Sequence, residues 1–396
     1  MPLYLLALNP TDSVSEGFLP AAAALGLEVT ILTDQPEPHR RRHPDIPVLP
    51  CDVRSVDAVI AAIAGAPAPD AVFTNSDHLQ AQAALAAAYF EVPGKDWRVA
   101  LRVKNKAEMR RRLAAAGLDT VWCTELAPDQ DPTALADQDI RFPCVVKPRE
   151  GVASEDVVLV DGVAELVLRC NEIRQRRPRT ALVVEEYLDG ELHTLETLGD
   201  GNRRHVLGGF RTTLSPPPHF IELRHTFTAG HPEPTTAQVL AQLDALGIGF
   251  GSCHTEFMVS DGRARLIEVN YRSIGDQCDL LLQQVLGIPL FERILRTHLG
   301  EPLPAQPGTR VDGAARIDHI CAPAAGTLVT APMAADLIVD GVTLTYRPLR
   351  DIGERHELSH TNRDYVGVLR TVGTGAAAVD QAAERFLAEQ CWEVAP

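Results

Sequence analysis

The 396-residue chain, 45% hydrophobic and 23% charged, has room for two or three lobes, each with its own core. Its formal charge of -16 argues against a nucleic-acid partner, because phosphate backbones are gripped by basic surfaces. No apolar run approaches the ~20 residues that span a bilayer, and "MPLYLLALNPTDSVSEG" has no basic segment ahead of its apolar one, so no membrane partner and a cytoplasmic location are expected.

The first ~95 residues alternate short apolar strands such as "LYLLAL", "EVTILTD" and "DAVFTN" with alanine-rich helical runs, which predicts a parallel α/β unit over 1–98. Its first strand ends in "NPTDS" without GxGxxG, so a dinucleotide site is not expected. "LRVKNKAEMRRRLAAAGL", Leu101–Leu118, reads as one helix stopped by Gly117. "FPCVVKP" and "DVVLVD" read as a hairpin, "VAELVLRCNEIRQR" as a helix and "ALVVEEYL" as a strand, in a second unit over 99–190. The third unit, 191–396, holds strands "LHTLETLGD" and "RRHVLGGF", the helix "TTAQVLAQLDALG" and the hairpin "CHTEFMVSDGRARLIEVN". A Pro-rich link then leads to a mixed tail with strand-like "LIVDGVTLTYRPL" and a final helix.

The acidic hairpin is the most informative stretch. A loop centred on Gly262 places Glu256 opposite Glu268 with Cβ atoms roughly 5 Å apart, whereas a two-residue loop would shift the pairing by one. Opposed carboxylates repel, so a divalent cation between them is expected, with Asn270 adding a neutral oxygen on the same face. Oxygen donors without neighbouring Cys suit Mg²⁺ or Mn²⁺. Arg272, on that face again, can hold a phosphate or carboxylate as a bidentate fork, while Ile267 and Val269 would pack inward. The plainer alternative is a solvated face with an Arg272–Glu ion pair.

Lysine occurs only at 95, 104, 106 and 147 in a chain that otherwise uses arginine. Lys147 ends a strand before the loop "REGVASE", where Gly151 and Ser154 can face an anion, and Lys106 sits near a helix start. Both could equally be ordinary surface or turn residues. "VVEEYLDGE" brings Glu185 and Glu186 to a strand edge able to meet a flat base, with Glu191 or Glu196 available to a ribose. The eight cysteines never show CxxC or Cys/His ligand spacing, so neither zinc nor a disulfide framework is expected.

Taken in order, Lys106 in "NKAEMRRRLAAAGL", Lys147 in "FPCVVKPREGVAS", "VVEEYLDGE", "HTEF" and "LIEVNYRSIGD" resemble the ATP-grasp superfamily over roughly residues 100 to 290. The resemblance implies an α/β N-terminal lobe and two α+β subdomains clasping ATP. It implies that Lys106, Lys147 and Ser154 meet phosphates under a closing loop from Arg149 to Ser154, and that Glu186 and Leu188 give adenine main-chain contacts beside Glu185 and Tyr187. Glu191 or Glu196 would contact the ribose, although "GEL" departs from the family's usual "GxE" spacing and the loop has fewer glycines than usual. Glu256, Glu268 and Asn270 would bind Mg²⁺ or Mn²⁺, and Arg272 would meet the acyl phosphate or the acid.

Within the superfamily, "EVNYRSIGD" and "GGFRTTLSPPPHFIELRHTFTAG" look most like carboxylate-amine ligases of the amino-acid ligase type, including those that build dipeptides or siderophores. That likeness puts Arg211, Glu222, His225 and Gly275 near the acid or amine, with His254 as a phosphate contact and His225 as the amine-side base. It implies a carboxylate attacking the γ-phosphate of ATP to give an acyl phosphate that an amine then displaces. Small-molecule acids and amines are the partners, and a homodimer is an expected state. The alternatives are a biotin-carboxylase-like enzyme using bicarbonate and a non-catalytic ATP sensor or scaffold.

Overall fold

The computed structural model describes residues 1–310 and 312–396. Strands β1 (Pro2–Leu6), β2 (Glu28–Thr33), β3 (Val48–Pro50) and β4 (Ala71–Phe73) form a parallel sheet in the order β3-β2-β1-β4. Both faces are covered, which explains their nearly continuous apolar runs. Leu3, Leu5 and Ile31 face a core containing Leu281, Phe291 and Ile294, while Tyr4, Leu6 and Leu32 face Val59, Ile63 and Ala83. Helices from residues 278–298 therefore anchor this lobe to the rest of the chain.

The single helix expected over Leu101–Leu118 is two, Trp97–Lys104 and Lys106–Ala115. Asn105 breaks it with an extended backbone and caps the second helix, its side chain accepting the Glu108 N–H at 3.1 Å. Lys106 thereby becomes the first residue of a helix, and Gly117, with φ +69°, follows its end. Val99, Val103, Met109 and Leu113 pack with Val239, Leu243 and Phe257, so the stretch read as 99–190 divides between two cores.

The smaller core belongs to an antiparallel sheet of β5 (Cys123–Leu126), β6 (Cys144–Pro148), β7 (Val158–Val160) and β8 (Leu182–Glu186), ordered β5-β8-β6-β7 under the helix Val163–Arg176. The large sheet takes β9 (Glu191–Asp200), β10 (Arg204–Leu214), β11 (Glu222–Thr228), β12 (Phe250–Ser260), β13 (Arg263–Asn270) and β14 (Ala314–Cys321). Beyond these come β15 (Gly326–Thr330), β16 (Ala335–Val339), β17 (Val342–Pro348), β18 (Arg355–His356), β19 (Tyr365–Gly373) and β20 (Glu393–Ala395). The large sheet runs β13-β12-β9-β10-β11-β14-β19-β17-β16, so most tail strands extend it, while β18-β15-β20 form a separate small sheet. Among the described residues no helix is long and apolar enough to cross a membrane.

Candidate active site

The β12–β13 hairpin turns through two residues, Asp261 and Gly262, both with positive φ, and Ser260 pairs Arg263. That tight loop alone would put Glu256 out of register with Glu268. A bulge corrects it: Phe257 pairs Leu266, Glu256 pairs Glu268, and Ile267 is the extra residue. Val269 packs inward as expected, but Ile267 lines a cavity with Leu188, Leu192 and Met258. The bulge that turns Ile267 onto this apolar shelf also aligns the two acids.

The cavity, about 550 Å³, lies between the small sheet, the large sheet and the loops after β1 and β4. Lys106 Nζ lies 2.8 Å from Glu268 Oε1 and 3.4 Å from the Gly151 carbonyl. Burial and the neighbouring Glu256 push Glu268 up despite Lys106. Burial would likewise raise Glu256, but His254, Lys106 and Arg272 outweigh it and hold that carboxylate below its ordinary range. The opposed carboxylates with Asn270 form an all-oxygen set that fits Mg²⁺ or Mn²⁺. Among the described residues no group of three or more His, Cys, Asp or Glu side chains is arranged to hold a metal ion by itself.

His254 lies between two acids, with Nδ1 2.7 Å from Glu196 and Nε2 3.2 Å from Glu256. Burial lowers it, but those carboxylates raise it to about 10. It lines the cavity as a cationic brace on Glu256. Glu196 is correspondingly withdrawn: it is buried, bonded to His254 and to Thr194 Oγ1 at 2.8 Å, and does not line the cavity. Glu191 is exposed and also outside, 4.0 Å from the exposed Arg211. The structure does not bring Glu191, Glu196 or Arg211 to the cavity: Glu191 and Arg211 sit on the sheet face opposite Leu192 and His225, whereas Glu196 shares the cavity-side face with His254 and is held by it.

Lys147 Nζ reaches Glu185 Oε2 at 2.7 Å, and Arg110 holds the same acid at 2.9 Å. The Glu186 N–H donates to the Trp122 carbonyl and the Tyr187 N–H to that of Pro143, so these two amides are engaged. Glu186, Tyr187 and Leu188 nevertheless line the apolar end of the cavity. Burial would raise Glu185, yet Arg110 and Lys147 bring it down to about 2. A depressed carboxylate contributes stability that is present above its ordinary pKa of 4.5 and lost as pH falls towards 2. Glu185→Gln is therefore expected to lower stability at neutral pH and flatten its decline on acidification. Urea unfolding between about pH 3 and about pH 7 reads this, and parallel declines in both proteins would place the acid sensitivity elsewhere.

The phosphate-side loop compensates for its few glycines: Ala153, Ser154 and Asp156 themselves adopt left-handed backbone conformations, which cost on the order of 1 kcal/mol each. The Asn362 N–H donates to the Ala153 carbonyl at 3.2 Å, and Arg363 pairs Glu155 at 2.9 Å, tying the loop to the start of β19. Ser154 lines the cavity beneath this tie.

Arg272, Gly275, Glu222 and His225 line the cavity as well. Glu222 accepts from Asn362 Nδ2 at 2.9 Å and lies 3.8 Å from His225 Nε2, while His225 Nδ1 is 3.0 Å from Thr212 Oγ1. Burial, with His319 and His254 nearby, lowers His225 well below its ordinary value and keeps it neutral. Residues missed from sequence include Asn75, which accepts from Ser273, and Asp77, which pairs Lys104 at 3.1 Å. Their signal was "FTNSD" at a strand's carboxyl end, where open α/β sheets place binding loops. Asn362, Arg363 and Tyr365 come from the tail and carried no such signal.

Residues 140–280 match the family described as the ATP-grasp domain. An uncharacterized protein, y4rH, of Sinorhizobium fredii is 30% identical over 224 residues, 54% of this chain, and the chain spans only 45% of that protein's length. The crystal structure of an L-amino acid ligase from Bacillus licheniformis superposes with a TM-score of 0.82 at 22% identity, covering 100% of this chain and 99% of that one. A biotin carboxylase domain dimer from Hydrogenobacter thermophilus, in complex with MgADP, ADP and bicarbonate, gives 0.69 at 15% identity over 100% and 90%. At these identities the likeness is one of fold.

Proposed function

Because the chain has the ATP-grasp fold and carries an ATP-grasp domain over residues 140–280, we propose that it is an ATP-dependent carboxylate-amine ligase, releasing ADP and phosphate through an acyl phosphate. The observation that carries this reading is the convergence of Lys106, Lys147, the Glu256–Glu268 pair and Arg272 on one cavity. Phosphoryl transfer needs positioning and charge neutralisation, and these groups supply both.

ATP would rest its base on Leu188, Met258 and Ile267 and direct its phosphates towards Lys106, Lys147 and the loop at Ser154, all of which line the cavity. Glu256 and Glu268, assisted by Asn270, would hold Mg²⁺ or Mn²⁺, which offsets phosphate charge when bound. An oxygen of the acid bonds to the γ-phosphorus as the bond to the ADP oxygen breaks. The amine nitrogen then bonds to the acyl carbon as the carbon–oxygen bond to phosphate breaks, and neutral His225 accepts the proton that nitrogen loses. Arg272, in no ion pair among the described residues, would face the acyl phosphate. The acid is an amino acid or another small carboxylic acid of specialised metabolism, and a cytoplasmic location supplies the ATP.

Incubation with Mg-ATP, a panel of acids including bicarbonate, and hydroxylamine tests this reading. ADP together with a hydroxamate is expected. AMP would point to adenylate chemistry, turnover confined to bicarbonate would make the protein a carboxylase, and ATP binding without turnover on any acid would make it a sensor.

A further inference from the structure

Lys104 has no part in the ligase reading, and its ammonium is fully engaged inside the protein. It donates to the Asp77 carbonyl at 3.0 Å, to Asp77 Oδ2 at 3.1 Å and to His78 Nδ1 at 3.0 Å. An ammonium has three donors and no acceptor, so Nδ1 must accept and the ring proton of His78 must sit on Nε2. Among the described residues Nε2 meets no acceptor, and it is not sealed from solvent as the ring nitrogens of His39 and His298 are. Burial and the adjacent Lys104 bring His78 down to about 4, with Arg54 acting in the same direction and Asp77 and Glu155 against it. His78 therefore lines the cavity as a neutral donor of fixed tautomer, in the short turn Asp77–Leu79 after β4.

Two ties place this donor. Three residues before it, Asn75 Oδ1 accepts from the Ser273 N–H at 3.2 Å and from Ser273 Oγ at 3.1 Å, and Ser273 follows Arg272. Lys104 ends its helix two residues before Lys106, whose Nζ reaches Glu268 at 2.8 Å. The segment Asn75–His78 is thus pinned between the strand end that carries Arg272 and the helix start that carries Lys106. Both acids whose charge reaches His78 are countered, Asp77 by Lys104 and Glu155 by Arg177 and Arg363, and Glu268 is paired with Lys106.

Resting on the ligase reading, we propose that His78 is a catalytic residue whose Nε2–H donates to an anionic oxygen of the reacting pair, on the γ-phosphoryl group of ATP or on the carboxylate of the acid. Negative charge is redistributed over these oxygens as the acyl phosphate forms. A donor oriented in advance by Lys104 needs no reorganisation at that moment.

With an acid that yields hydroxamate, His78→Phe is expected to lower kcat on the order of 10²-fold. His78→Gln, whose amide nitrogen can take the place of Nε2, should retain at least about a tenth of wild-type kcat. Calorimetric titration in Mg²⁺ with ADP and with the β,γ-imido analogue of ATP reads the same donor without turnover. A donor to the γ-phosphoryl group makes His78→Phe lose affinity for the analogue but not for ADP. A donor to the acid leaves both affinities unchanged and raises the KM of the acid. Unchanged analogue affinity in His78→Phe, with unaltered kcat and acid KM or with no turnover at all, overturns the proposal, as does an equal loss in His78→Gln. Loss of analogue affinity in His78→Phe alone, in a protein that forms no hydroxamate with any acid, would retain the donor and remove the ligase reading.

Discussion

Glu268→Gln is expected to lower magnesium-dependent ATP turnover on the order of 10³-fold while leaving the protein folded. Glu268 pairs directly with Glu256 across the β12–β13 ladder and accepts from Lys106 at 2.8 Å. In the absence of a cation the two acids repel, so neutralising one relieves a cost within the protein. Lys106, only 5% exposed, loses its ion pair in exchange. These opposing changes keep the net stability effect small, whereas nothing would replace the proposed metal ligand in the proposed phosphoryl transfer. ADP release in Mg²⁺ and in Mn²⁺, with thermal unfolding as the control, separates the two effects. A folded variant that retained more than about a tenth of wild-type turnover would remove the hairpin from metal binding.

Arg110→Met carries the largest expected cost in stability, about 3–5 kcal/mol by urea unfolding. Arg110 holds Glu185 with Nε at 2.9 Å and Nη2 at 3.3 Å, and its Nη1 reaches Asp119 at 3.3 Å and the Leu266 carbonyl at 2.6 Å. All three charged side chains are buried. Methionine has comparable reach but no donors, so it leaves two carboxylates with only Lys147 beside one of them. It also cuts the tie between the helix Lys106–Ala115, β8 and the bulged strand β13. Lysine should rescue little, because a single ammonium cannot reproduce the planar fork across Glu185 and Asp119. A loss below about 1 kcal/mol would mean that the small sheet does not depend on this triad for its position.

The sequence alone determined what short-range pattern can carry. Alternating apolar strands and alanine-rich helices specify a parallel lobe, and "SDGR" specifies a hairpin, because turn chemistry and side-chain period act over a few residues. Lys106, Lys147, Glu256, Glu268 and Arg272 became legible as a set only through the ordered resemblance of their motifs to the ATP-grasp superfamily. Tertiary structure decided the rest. The two-residue loop would have misaligned the acids, and the bulge at Ile267 that realigns them depends on what packs against both sides of the strand. Asn105 divides an apparently continuous helix because its cap and the core below offer more than one further helical turn. Glu191 and Arg211 are turned to the other face of the large sheet, while Glu196, on the cavity-side face, is held by His254, distinctions that strand pairing and packing set and spacing does not. Asn362 and Tyr365 meet Glu222 only because the start of β19 converges on β11, and no linear spacing encodes a contact closed across that many residues.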